Sequence, residues 1–184
     1  MMIIVIAGPP GGGKDTQAAR MAERLQAYII SPGALLRAEA TVDQDLAAQL
    51  KRGDLADDDH VNELVGEAML AHRDQTLILD GTPRHVPQVA WLRDFLEKHF
   101  KGIQTVLVEL RVSDQELRIR ATKRGRADDS PASFEHRLDI YHQEIVPAIH
   151  ELARYMPHIV VNGEQSIDTI AQEIAEAMKE RGYL

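Results

Sequence analysis

Short apolar runs alternate with longer amphipathic stretches along most of this chain. Five runs are rich in Ile, Val and Leu: Ile3–Ala7, Tyr28–Ile30, Thr76–Leu79, Thr105–Leu110 and His158–Val161. Near-continuous apolar runs of this length suit strands buried on both faces, so a parallel sheet is predicted. Helical spacing fills most of the gaps, beginning with residues 17 to 26. Thr41–Gln44 and Ser113–Glu116 read as capping boxes, a hydroxyl followed three residues later by Gln or Glu. Ser130 and Pro131 offer a cap and a proline at the first helical position. Ser166 caps a final helix whose Ile167, Ile170, Ile174 and Met178 are predicted to face the core. Strand and helix in this alternation predict a doubly wound α/β fold of about five parallel strands with helices on both faces.

Two stretches break the alternation. Residues 31 to 73 hold three helical patterns with no strand between them, and residues 125 to 131 form a short polar turn between two long helices. No repeat, linker or low-complexity segment is visible, and 184 residues suit one domain with a substantial core.

Composition narrows the function. A net charge of −8 argues against a non-specific nucleic-acid binder, which would be basic. The chain has no cysteine, which excludes disulfides, thiolate metal sites and a cysteine nucleophile. Its eight histidines are scattered without metal-ligand spacing. The opening Met-Met-Ile-Ile-Val-Ile lacks the basic segment of a leader and reads as the first strand. No apolar run approaches the roughly 20 residues a membrane span needs. A cytoplasmic monomer is the expectation.

The first strand runs directly into Gly8-Pro-Pro-Gly11-Gly12-Gly13-Lys14-Asp15-Thr16-Gln17, and a helix follows. Strand, glycine loop, lysine and helix are the context of a phosphate-binding loop. The glycines let several backbone N–H groups aim at one point, and the helix adds the positive end of its dipole. Lys14 adds a mobile cation for the β- and γ-phosphates. A plain glycine turn before a helix would not need the lysine at this spacing. The general pattern wants Ser or Thr immediately after the lysine, but here Asp15 intervenes and the hydroxyl comes at Thr16.

The second signal is Leu77-Ile-Leu-Asp80-Gly81-Thr82-Pro83-Arg84. A carboxylate at the carboxyl end of a buried strand, facing the glycine loop, suits a Mg²⁺-linked role. The turn after it presents Arg84, whose planar fork can take two phosphate oxygens. The third signal is the series Arg120, Arg124, Arg126 and Arg137. Such a run is commonly a solvated face. Its spacing around Asp128-Asp129 favours a cluster closing over the charge of phosphoryl transfer. No general base stands out, and a monophosphate acceptor, already ionised at neutral pH, needs none.

These motifs together resemble the adenylate kinases, a family of nucleoside monophosphate kinases, in a short-lid form. The resemblance covers nearly the whole chain. It implies a P-loop kinase fold in a single domain: a core of residues 1–30 and 74–184, a helical monophosphate-binding arm at 31–73 and a very short lid at 125–131. It implies reversible, Mg²⁺-dependent transfer of the ATP γ-phosphoryl group to a nucleoside monophosphate, with AMP first. Gly11, Gly12, Gly13, Lys14, Asp15, Thr16, Arg120, Arg124 and Gln165 would hold ATP. Gly33, Arg37, Leu55, Ala56, Gly81, Arg84 and Gln88 would hold the acceptor, with Gln88 matching the glutamine that meets the adenine. Lys14, Asp80, Arg84, Arg120, Arg124, Arg126 and Arg137 would act in the transfer. The metal would be held by phosphates and water, with Asp15 and Asp80 ordering that water. Three positions depart from the family: Pro32 for threonine near the base, Ala34 for an aspartate that helps order the metal's water, and Thr82 for phenylalanine. They leave open a UMP/CMP or other nucleotide kinase, a small-metabolite kinase using Asp80 as base, and a nucleotide-binding module without activity.

Overall fold

A computed structural model describes residues 1–52, 56–124 and 130–184, excluding the side chain of Arg124. Five parallel strands form one sheet: β1 (Met2–Ala7), β2 (Tyr28–Ile30), β3 (Leu77–Asp80), β4 (Gln104–Arg111) and β5 (His158–Asn162). Their order across the sheet is β2-β3-β1-β4-β5, with all neighbours parallel. Each predicted strand is present within a residue or two of its expected bounds.

The continuous apolar runs are explained by two core layers. Ile3, Val5, Leu77, Leu79 and Leu107 face one way and pack with Val65, Met69, Leu92 and Ile149. Their alternates Ile4, Ile6, Ile78, Val106 and Val108 face the other way and pack with Ala18, Met21, Ile170, Ile174 and Met178. The central strands β1 and β3, and the middle of β4, are thus buried on both faces because helices cover both, whereas the edge strand β5 buries only Ile159 and Val161 and leaves Val160 45% exposed. Fully burying an Ile or Leu side chain contributes about 1.5–3 kcal/mol.

Helix α1 (Lys14–Leu25) follows the glycine loop, three residues ahead of the predicted start. Between β2 and β3 lie α2 (Pro32–Glu39), α3 (Gln44–Arg52) and α4 (Asp58–Ala71), with no strand among the described residues of that stretch. Helix α5 (Val86–His99) leads to β4, and α6 (Asp114–Arg124) follows that strand. Helix α7 (Pro131–Ile140) passes through a π turn at Tyr141–Ile145 into α8 (Val146–Leu152). Pro147 lacks the N–H that a regular helix would direct to residue 143, and the wider turn accommodates that loss. Helix α9 (Ile167–Glu180) closes the chain.

Three helix-end expectations need correction. Thr41 does not cap α3: its hydroxyl donates to the Ala38 carbonyl at 2.7 Å, and Asp43 Oδ1 accepts from the amides of Asp45 and Leu46 at 2.9 and 3.0 Å. A carboxylate next to the helix start outcompetes a hydroxyl two residues further away. The box at Ser113 is half formed. The Glu116 amide reaches Ser113 Oγ at 3.4 Å, but the Ser113 amide donates to Glu164 at 2.8 Å and Glu116 takes Arg120 instead. Ile167 is 51% exposed: it is the first residue of α9, and the buried stripe begins one turn later with Ile170, Ile174, Ala175 and Met178. Ser130 and Ser166 cap α7 and α9 as expected, accepting from the amides of Ser133 and Thr169.

Candidate active site

The sheet order reverses at β1, which lies between β3 and β4. In such sheets a crevice opens beyond the carboxyl ends of the strands at the reversal. The glycine loop leaves β1 here. The register pairs Ile6 with Asp80, so the last residue of β3 stands beside the start of the loop. One cleft at this place is lined by Gly11, Lys14, Asp15 and Asp80, and it extends to Arg37, Arg84, Gln88 and Arg137. Signals spread over more than 120 residues of sequence therefore meet in one crevice.

Within the loop, Gly13 takes φ 93°, a left-handed conformation that a side chain would strain, at the residue before α1. The Gly12 amide donates to the Pro9 carbonyl at 3.1 Å, and Lys14 Nζ donates to the same carbonyl at 2.9 Å. Asp15 and Thr16 are exposed in the first turn of α1, Asp15 against the cleft. Gln17 is buried and joins α1 to the first residue of α9. It is part of the loop motif in sequence, but in the structure it braces the helix behind the loop.

Asp80 is 8% exposed. Burial holds its carboxyl above the ordinary carboxylate range, against the pull of Lys14, Arg84 and Arg37, while Asp15 pushes it further up. Both carboxylates and the lysine thus lie within electrostatic reach of one another. Burial likewise lowers the Arg84 guanidinium from its usual value, with Asp80 opposing the shift. Arg84 is held from its own turn: Nε donates to the Gly81 carbonyl at 2.7 Å. Gly81 has φ 76°, and a Cβ there would come within 3.1 Å of Arg84 Nη2. The left-handed φ is what favours glycine here, and a side chain would also crowd the end of the arginine.

The far end of the cleft is formed by α2, α4 and α5. Gly33 lies beneath the Arg37 guanidinium, 3.3 Å from Nη1 by its would-be Cβ. Ala56 lines the cleft. Gln88 is only 3% exposed, so it does not face solvent as an ordinary helix glutamine would. Its Oε1 accepts from the Arg84 amide at 2.7 Å, and its Nε2 donates to Asp58 Oδ1 at 2.7 Å. Asp58 and its second partner, His85, carry no motif in the sequence. A histidine and an aspartate 27 residues apart cannot be linked by spacing.

The arginine series divides. Arg137, on α7, lines the cleft. Arg120 is not among the cleft residues and is paired with Glu116 at 2.7 Å. Gln165 is bonded to Glu173 at 2.7 Å and is likewise outside the cleft lining. Leu55, Arg126 and the Arg124 side chain lie outside the described residues, as does most of the expected lid, 125–129.

No group of three His, Cys, Asp or Glu side chains stands together as a metal cage among the described residues. Two carboxylates, Asp15 and Asp80, border the cleft. That donor set fits a hard divalent cation that keeps its water and takes its direct ligands from phosphate. No helix among the described residues is long and apolar enough to cross a membrane.

A parallel sheet with a glycine loop at its switch point, a lysine over the loop and a buried carboxylate beside it defines the P-loop class of nucleotide-binding proteins. A sequence profile of the family described as adenylate kinase matches residues 6–155. The adenylate kinase of Kocuria rhizophila is 36% identical over 188 aligned positions, covering 97% of this chain and 100% of that protein. That of Xylella fastidiosa (strain M12) is 38% identical over 187, covering 96% and 99%. That of Micrococcus luteus is 35% identical over 187, covering 97% and 91%. This chain belongs to the adenylate kinase family, and so is a phosphotransferase acting on a nucleoside monophosphate.

Proposed function

We propose that the protein transfers the γ-phosphoryl group of ATP to AMP, reversibly and with Mg²⁺, giving two ADP. The observation that carries this reading is the placement of Gln88: a buried amide in the same cleft as Lys14 and Asp80, on the side bounded by Arg37 and Arg84. A carboxamide offers one donor and one acceptor to the edge of a purine, and guanidiniums beside it suit the monophosphate.

Lys14 and the amides of Gly11 to Gly13 bind the donor phosphates, with Thr16 in the helix turn that follows. Arg37 and Arg84 bind the acceptor phosphate, and Gly33, Ala56 and Gly81 give it a close backbone wall. Leu55 is assigned to the acceptor with them. Arg137, with Arg120, Arg124 and Arg126, offsets the negative charge that spreads over the transferring group. Gln165 completes the donor side. Asp80 and Asp15 order the water around Mg²⁺, which when bound to the phosphates offsets charge on their oxygens. Residues 31–73 act as the acceptor arm and 125–131 as a short lid whose closure limits hydrolysis of ATP. The protein works as a cytoplasmic monomer.

The test is stoichiometric. Pure protein given ATP, AMP and Mg²⁺ should form two ADP for each AMP consumed, and ADP alone should yield ATP and AMP. Gln88→Ala should weaken AMP use about tenfold or more, since an unpaired buried polar group costs about 1–3 kcal/mol. Binding of ATP with no turnover of any monophosphate would instead favour a binding module.

A further inference from the structure

The Gln88 amide is gripped from both ends by partners of opposite and fixed character. The Arg84 backbone N–H can only donate, and it donates to Oε1 at 2.7 Å. The Asp58 carboxylate can only accept, and its Oδ1 accepts from Nε2 at 2.7 Å. The same Oδ1 lies 2.6 Å from Nδ1 of His85, the residue after Arg84. Side-chain exposures of 22% for His85 and 30% for Asp58 leave this pair partly buried, and neither lines the cleft itself, so they hold Gln88 from behind. Turning the amide over would set N–H against N–H at Arg84 and oxygen against oxygen at Asp58. Its orientation is therefore determined.

A carboxamide has two lone pairs and two N–H bonds, so each end of Gln88 keeps one valence for a ligand. Because the amide cannot turn over, the order of acceptor and donor is fixed. A 6-aminopurine presents a donor at its 6-substituent and an acceptor at N1, which matches Oε1 and Nε2 in that order. A 6-oxopurine presents the reverse and would meet oxygen with oxygen and N–H with N–H. Sites built on fixed polar pairs discriminate strongly, because the wrong ligand leaves buried groups unpaired.

We propose that Asp58, braced by His85, is a positioning residue that locks the Gln88 amide and so makes the acceptor site select 6-aminopurine over 6-oxopurine monophosphates. This rests on the reading of Gln88 as the acceptor-base contact. Asp58 does not touch the reacting atoms; it acts through Gln88.

The experiment compares AMP with IMP, which differs only in the 6-substituent and the N1 proton, as acceptors of wild type, Asp58→Ala, Asp58→Asn and Gln88→Ala. Asp58→Ala should reduce the AMP-to-IMP ratio of kcat/KM about tenfold or more, chiefly through KM for AMP, with KM for ATP unchanged. Asp58→Asn retains an acceptor oxygen at the same reach and should recover most of the ratio. Asp58→Ser keeps a polar residue at the first position of α4 but is too short to reach Gln88, and it carries the test should Asp58→Ala fail to fold. An equal loss of kcat/KM for AMP and IMP in a folded Asp58 variant would overturn the proposal, because a structural role moves both acceptors alike. A Gln88→Ala variant with the wild-type ratio would overturn the base-contact reading, and the proposal with it. A collapsed ratio in Gln88→Ala but not in Asp58→Ala or Asp58→Ser would overturn the proposal alone.

Discussion

Lys14 Nζ donates to the carbonyl oxygen of Pro9 at 2.9 Å, five residues back in its own loop. A neutral carbonyl is a weaker partner for an ammonium group than an ionised phosphate oxygen. The lysine is thus held at the mouth of the loop, where a phosphate can take it over. Lys14→Ala should lower kcat about 10²–10³-fold, the usual effect of removing one preorganised cation or donor. The melting temperature should move little, since one such hydrogen bond contributes about 0.5–1.5 kcal/mol. Initial rates and a thermal melt on the same preparation check both halves.

Asp80 should carry a stability cost that its function requires. Burial raises its folded-state pKa above the ordinary value. The folded state then binds the proton more tightly than the unfolded chain. Its favourable contribution is complete below the unfolded carboxylate pKa and is lost as pH rises through the raised folded value. At neutral pH the buried charge is a net burden, so Asp80→Asn should melt higher. Each kcal/mol gained corresponds to about 2–4 °C in a chain of this size. The variant should also lose the wild type's fall in stability between the ordinary carboxylate pKa and the raised one, while its kcat drops. Melts across that pH window, with and without the substitution, check the sign.

Arg137 is the member of the arginine series that the described structure brings to the cleft. If it offsets charge in the transition state, Arg137→Ala should cut kcat by several hundredfold or more, within roughly the 10³–10⁵ range of arginine fingers at the upper end. Folding stability should change by no more than about 1 kcal/mol. Near-normal kcat in that variant would return Arg137 to the role of a solvated helix residue.

The central strands are legible in the sequence because burial on both faces writes them as unbroken apolar runs, and Ile3–Ala7 is the plainest of them. The loop and Asp80 are legible because short-range backbone geometry demands particular residues at fixed spacing. What pairs at long range is not. Asp58, His85 and Gln88 meet across 27 and 30 residues, and neither Asp58 nor His85 belongs to a pattern. Caps are ambiguous for a related reason. Thr41 and Asp43 are both competent, and only the position of the first helical turn decides for Asp43. Gln17 reads as part of the nucleotide loop, yet its amide bonds the backbone of Ile167, 150 residues away.

Asp15 and Ala34 yield a further expectation. An anion beside a phosphate loop repels ATP unless a cation stands between them. Asp15 borders the cleft and acts electrostatically on Asp80. Asp15→Gly should therefore raise the Mg²⁺ concentration needed for half-maximal rate, and Ala34→Asp in the same chain should restore it. A carboxylate that only complements the helix end would contribute about 0.3–1 kcal/mol to stability and leave the Mg²⁺ dependence unchanged. A Mg²⁺ titration of the two single variants and the double variant separates the two roles.

Whether this cleft takes AMP as its acceptor is decided by steady-state kinetics with ATP, Mg²⁺ and a panel of AMP, GMP, IMP, UMP and CMP. AMP should have the highest kcat/KM of the five, with ADP as the sole product formed from it. A higher kcat/KM for any of the other four would mean that the cleft is built for a different acceptor.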